Sequence, residues 1–172
     1  MTTMVRLIAR HLRRFRRDQR GTVLIEMAIV APLMLLLSAG VFEFGNLIHD
    51  KLLMEAGLDD GARFAARCNS QIYTQANLTI NCAVVAENIA ERGDVAGTGT
   101  ERVPGLSVTI NTSTCYNTVD ANGVVLYLST TSQVCVVTAS GTLPYNGIGM
   151  LSLLNIGPFT LTASHQERFI RL

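Results

Sequence analysis

The chain has 172 residues, enough for one ordinary domain or for a small domain with an anchor, which argues against two domains with separate cores. Its formal net charge of +1 hides an asymmetry: seven of the fourteen Lys and Arg residues are Arg6, Arg10, Arg13, Arg14, Arg16, Arg17 and Arg20, and beyond Gly21 seven basic face twelve acidic side chains, a net −5. The arginine run alone could serve as a nucleic-acid arm, but the acidic remainder and the apolar stretch after the run argue against nucleic acid as a partner.

Met1 to Gly21 reads as a basic leader. It is no ordinary secretory signal, because its charged part is long and no small-x-small cleavage pattern follows the apolar run. Processing is therefore expected at the start of the apolar segment. From Thr22 to Phe42 there are twenty-one residues with one charge, Glu26. At 1.5 Å per helical residue they reach about the ~30 Å of a bilayer's hydrocarbon core. An arginine-rich flank is retained in the cytoplasm, so the long C-terminal part is expected outside. Pro32 should bend the helix, since it removes a backbone donor and its ring crowds the carbonyl a turn earlier.

Glu26 stands out, because an ionisable side chain inside a span costs ~2.5 to 3.5 kcal/mol on insertion scales. Either it sits near enough to the interface to reach headgroup water, or something neutralises it. Cleavage after Gly21 would expose an α-amino group on Thr22, largely protonated at neutral pH. A carboxylate at the fifth mature position can pair with that ammonium, its own or a neighbouring subunit's, and in hydrocarbon the pair is far better than either charge alone.

Beyond the span, Leu47, Met54, Leu58, Ala62 and Ala65 recur at helical spacing while Glu55, Asp59, Arg63 and Arg67 run along another face. The helix is thus expected to continue to about Cys68; as one rod it would measure about 70 Å. Asp59 with Arg63 forms a favourable i,i+4 pair. Gly57, Gly61 and Ala65 form a small-residue stripe, suited either to close approach of another helix or to the chain's own sheet. A second helix is expected between Thr74 and Arg92, with Leu78, Cys82, Val85 and Ile89 as its apolar stripe, Gly93 as its stop and Asn81 as an alternative N-cap. Asp94 to Gly105 reads as a loop, and Gly97-Thr98-Gly99, lacking the Lys-Ser/Thr ending of a phosphate loop, as flexible linker.

After this loop the period changes to two. Leu106, Val108 and Ile110 alternate with polar residues, Val124 to Leu128 and Val134 to Thr138 are β-branched runs, and Phe159, Leu161 and Ala163 alternate again. Asn122-Gly123 is a hairpin signal and Ser129 to Ser132 a weaker one. About four antiparallel strands packed on the helix are expected, with Gly141 to Pro158 unassigned.

Cys68, Cys82, Cys115 and Cys135 all lie beyond the span, an even number in a domain expected outside the cytoplasm, which suggests two disulfides. Their spacing is not that of a zinc site. Sequence neighbours would pair Cys68 with Cys82 and Cys115 with Cys135. The second pairing conflicts with two tight hairpins, which would set Cys115 and Cys135 two strands apart, at about twice the ~4.8 Å strand spacing. No nucleophile elbow or metal motif accompanies His11, His49 or His165, so neither catalysis, a metal nor a cofactor is expected.

The run Arg20-Gly21-Thr22-Val23-Leu24-Ile25-Glu26-Met27-Ala28-Ile29-Val30-Ala31-Pro32-Leu33 resembles the start of TadE-like proteins, minor pilins or pseudopilins of tight-adherence (Tad, Flp) pilus systems. The similarity continues through Gly40-Val41-Phe42-Glu43-Phe44-Gly45 and Ala62-Arg63-Phe64-Ala65-Ala66-Arg67. Met27 departs from it, standing where the family usually has an aromatic residue. The resemblance implies cleavage between Gly21 and Thr22 by a membrane-embedded prepilin peptidase, then passage from the inner membrane into a pilus. It also implies as partners a major Flp-type pilin, a second minor pilin, an inner-membrane assembly platform and membrane lipid.

The expected fold is α+β and pilin-like, a long N-terminal helix, transmembrane then amphipathic, packed on a small antiparallel sheet. Its parts are a cleaved leader (1–21), a transmembrane and assembly helix (22–43), an amphipathic continuation (44–68) and an extracytoplasmic α+β domain (69–172). A minor pilin is the leading functional reading. An uncleaved single-pass protein with a ligand- or partner-binding periplasmic domain, or a membrane-tethered enzyme, are the rivals.

Overall fold

A computed structural model describes residues 20–128, 132–154 and 156–170. The arginine-rich leader up to Gln19 and most of the Ser129 to Ser132 turn lie outside the described residues. The chain divides into two compact units, one ending at Glu43 and one beginning at Phe44. Helix α1, Arg20–Arg67, belongs to both and runs 48 residues, continuing through Pro32.

In the first unit every residue from Gly21 to Ser38 is exposed. This part of α1 is apolar on all sides, and it is long and apolar enough to cross a membrane by length and composition. In the second unit the same helix shows one buried stripe: Met54, Leu58, Ala62 and Ala65 are all fully buried. They pack with Val103, Leu106, Val108, Ile110, Val137, Ala139 and Leu143 into a single core.

The expected second helix is divided in two. A six-residue α2, Ser70–Gln75, starts on the Asn69 side chain, which accepts from the Gln71 N–H at 3.0 Å. The chain then turns, with Asn77 at φ 57°, before α3, Cys82–Arg92, begins on Asn81 and stops at Gly93 in the left-handed conformation, φ 68°. Leu78 therefore lies outside α3 and exposed. The buried residues of α3 are Ala86 and Ala90, not Val85 and Ile89. The reason is steric. A Cβ on Gly57 would collide with the Ala90 carbonyl oxygen, and one on Gly61 would come within 2.8 Å of the Ala86 oxygen. The Gly57–Gly61 stripe thus receives α3 of the same chain, where the sequence left open a sheet or another helix. A disulfide, Cys68–Cys82, joins the end of α1 to the start of α3.

The sheet has three antiparallel strands in the order β1 (Ser107–Asn117), β2 (Gln133–Tyr145), β3 (Phe159–Arg168). The fourth strand expected at Val124 to Leu128 is absent. These residues sit in the β1–β2 connection, where Val119 and Val125 form an isolated bridge. The Asn122-Gly123 signal does make a tight turn, with the Asp120 carboxylate accepting from the Asn122 and Val124 N–H groups and Gly123 at φ 83°. Because no strand intervenes, β1 pairs directly with β2, Cys115 stands opposite Cys135, and the two form a disulfide. The unassigned stretch continues β2 to Tyr145 and then forms a short 3₁₀ helix, Leu151–Leu154.

The outer edge of β1 is closed by side chains of α3. The Val108 N–H donates to Glu91 Oε1 at 2.9 Å and the Ile110 N–H to Glu87 Oε1 at 3.2 Å. Four helical residues rise about 6.0 Å and two strand residues about 6.6 Å, so glutamates at i and i+4 match alternate strand amides. A carboxylate ladder of this kind satisfies donors that would otherwise be buried without partners.

Two outcomes follow for the full chain in detergent, read by thermal or chemical unfolding. Gly57→Ala or Gly61→Ala should lower stability by about 1–3 kcal/mol through overpacking against α3, whereas Gly45→Ala, which meets nothing within 4 Å, should be neutral or slightly stabilising. Glu91→Ala should cost about 1–3 kcal/mol by leaving the Val108 N–H unsatisfied, and Glu91→Gln, which keeps an acceptor oxygen, should recover most of it.

Candidate functional site

The residues singled out by the sequence at the N-terminal end all lie on α1 in the first unit. Gly21 and Thr22 lie in the first turn of the described helix, Glu26 follows one turn later, and Pro32 lies within it. Gly21, Glu26 and Pro32 are all exposed. A Cβ on Gly21 would meet nothing within 4 Å, and its φ is not in the left-handed region, so among the described residues no packing or backbone need calls for glycine there. Glu43, the last residue of this unit, is buried at 1% exposure, which the sequence reading did not anticipate.

A second group of polar residues gathers in the second unit between α1 and β3. Arg63 Nη2 lies 2.9 Å from Asp59 Oδ2, so the i,i+4 pair read from the sequence is made, and Arg63 Nε lies 3.8 Å from Glu167 Oε1. His165 Nε2 lies 3.1 Å from Asp59 Oδ1 and 3.5 Å from Glu167 Oε1. This meeting was not legible in the sequence, because more than a hundred residues separate Asp59 from His165. Alternation along β3 puts His165 and Glu167 on one face, which was the only available hint. A cavity of about 250 Å³, lined by Lys51, Glu55, Leu58, Ala163, Ser164 and His165, opens beside the cluster. Another, of about 490 Å³, is walled by Arg63, Arg67, Ile72 and Tyr73 near the Cys68–Cys82 disulfide.

The Gly97-Thr98-Gly99 loop is organised rather than a plain linker. The Asp94 carboxylate accepts from the Ala96 N–H at 3.1 Å, from the Thr98 N–H and hydroxyl at 3.0 and 3.1 Å, and from the Gly99 N–H at 3.1 Å. Backbone donors that could have cradled an external anion are thereby occupied by the chain's own carboxylate. These bonds, the one from Ala96 first, hold the Asp94 carboxyl below its ordinary value of 3.8.

Residues 21–63 match the model of the TadE-like protein family. The match begins at Gly21, takes in Glu26 and Pro32, and runs through the Gly57–Gly61 stripe to Arg63. No curated protein and no solved structure matches the chain. The TadE-like segment points to a Tad pilus-associated protein working beside other pilin components, and with its apolar helix it indicates association with a membrane. The β domain lies outside the TadE-like match, and so do His165 and Glu167.

Since the folded-state value of Asp94 is depressed, its contribution is present above the unfolded value and is lost as pH falls through the folded one. Amide exchange at Thr98 and Gly99, corrected for intrinsic rates, should therefore show weakening protection below about pH 4. In Asp94→Ala that protection should be low at every pH.

Proposed function

We propose that this chain is a minor pilin or pseudopilin that enters, or helps to build, a Tad/Flp-type adhesion pilus after a prepilin peptidase cuts between Gly21 and Thr22. The observation carrying this reading is Gly21 itself. Glycine there answers no packing or conformational need among the described residues, yet the TadE-like match starts at that residue. Recognition by a processing enzyme accounts for it.

Glu26 supports the same reading. It is the only charge between Thr22 and Phe42, on a helix whose surroundings are apolar in every direction. Cleavage would place a new ammonium on Thr22 four residues away, about 6 Å along the helix. In hydrocarbon the Glu26 carboxylate gains most from pairing with such an ammonium, and a subunit whose register allows the pair is preferred over one whose register does not. The basic leader stays cytoplasmic and the disulfide-bonded domain lies in the periplasm, then at the cell surface. The partners in this reading are a major Flp-type pilin, a second minor pilin, the peptidase and the inner-membrane assembly platform. The role is structural, with no catalysis by the chain itself.

Intact-mass measurement of the chain from cells with an active prepilin peptidase should give Thr22 as the first residue. Glu26→Ala should insert normally in the membrane but abolish or strongly reduce piliation. Retention of Met1 in piliated cells would overturn the proposal and favour an uncleaved single-pass protein with a partner-binding outer domain.

A further inference from the structure

The cluster between α1 and β3 has the composition and spacing of a cation site. Asp59 Oδ1, His165 Nε2 and Glu167 Oε1 all lie within 4.8 Å of one another, each in a half-buried residue. A tetrahedral ion with bonds of about 2.0–2.1 Å sets neighbouring donor atoms about 3.3 Å apart. His165 Nε2 stands 3.1 Å from the Asp59 oxygen and 3.5 Å from the Glu167 oxygen, on either side of that spacing. We propose that Asp59, His165 and Glu167 bind a divalent transition-metal cation, with zinc as the best match, through Oδ1, Nε2 and Oε1.

An independent observation concerns Asp59. Its Oδ1 is buried from solvent and accepts no hydrogen bond, although Nε2 is close enough to give one. The imidazole nitrogen at 3.1 Å is thus placed beside this oxygen without the alignment of a hydrogen bond, and a cation between the two atoms would use a lone pair of each. The second oxygen, Oδ2, is held by Arg63 at 2.9 Å, which fixes the plane of the carboxylate as an outer partner of a metal ligand does. Arg63 also lies 3.8 Å from Glu167 Oε1 and so competes for that oxygen, and binding requires Glu167 to turn from it towards the ion. An imidazole nitrogen with two carboxylates favours zinc and its first-row neighbours over calcium or magnesium, which prefer all-oxygen sites. Three protein donors leave at least one position for water, and all three side chains are partly exposed to solvent. The ion would tie β3 to α1 at a point where no disulfide acts.

The test is zinc titration of the purified full chain in detergent, with Zn²⁺ as the probe, followed by calorimetry and by melting temperature. One saturable site is expected. His165→Gln should weaken binding at least tenfold, with the zinc-dependent rise in melting temperature lost, while His49→Gln should leave both unchanged. Should His165→Gln unfold the protein, Glu167→Gln decides in its place, by the same tenfold criterion. Cobalt loaded instead of zinc should give visible ligand-field bands that vanish in the same variants. Absence of saturable binding, or equal affinity in the parent and the folded variants, overturns the site whatever the fate of the pilin reading.

Discussion

Helix α1 carries two different kinds of surface, and most of the chain's organisation follows from that division. Its first half carries apolar side chains in every direction, so no face of it can be turned to water at low cost. Its second half carries charge on one side and a buried stripe on the other. Continuous backbone hydrogen bonding lets one element serve both environments, because a helix satisfies its own amides wherever it lies. One carboxylate, Glu26, interrupts the apolar half, and it is the natural place for a specific interaction.

In the second unit the governing factor is how closely α1 and α3 can approach. Glycine at 57 and 61 facing alanine at 86 and 90 removes the side-chain bulk that normally holds helices ~8–10 Å apart. This closeness brings α3 near enough to β1 for Glu87 and Glu91 to reach the strand's free amides. An edge that could recruit a foreign strand is thereby closed from within. Disulfides then act at two places, between the end of α1 and the start of α3 and at the far end of the β1–β2 pair. A small domain gains proportionately more from such links than a large one, because its core buries less surface.

The TadE-like segment and the β domain divide the work in the proposed function. The segment holds Gly21 and Glu26, on which that proposal rests, and the groove for α3, all within residues 21–63. The domain is a disulfide-linked body in which chemistry-bearing side chains from α1 and β3 meet. Family resemblance speaks to the first part. The second is known only from its physical features, among which the Asp59, His165 and Glu167 group is the most concentrated.

Local rules made much of this legible in advance. Twenty-one residues with one charge, the Gly21, Glu26 and Pro32 arrangement, the cap at Asn81, the stop at Gly93 and the alternation of β1 and β3 all depend on neighbours in sequence. The sequence by itself thus determined the α+β class, the long helix, the TadE-like resemblance and the expectation of two disulfides, with Cys115–Cys135 left in conflict with the hairpin signals. What only the tertiary structure decided depended on atoms brought from far apart. Val124 to Leu128 has the composition of a strand, but β1 finds its partner in β2, so the run is left out of the sheet and the cysteine conflict disappears. Val85 and Ile89 are more apolar than Ala86 and Ala90, yet the alanines are buried because only a small side chain fits against Gly57 and Gly61. His165 came to lie against Asp59 for the same reason, since contact across a hundred residues is set by shape and packing, which no local pattern records.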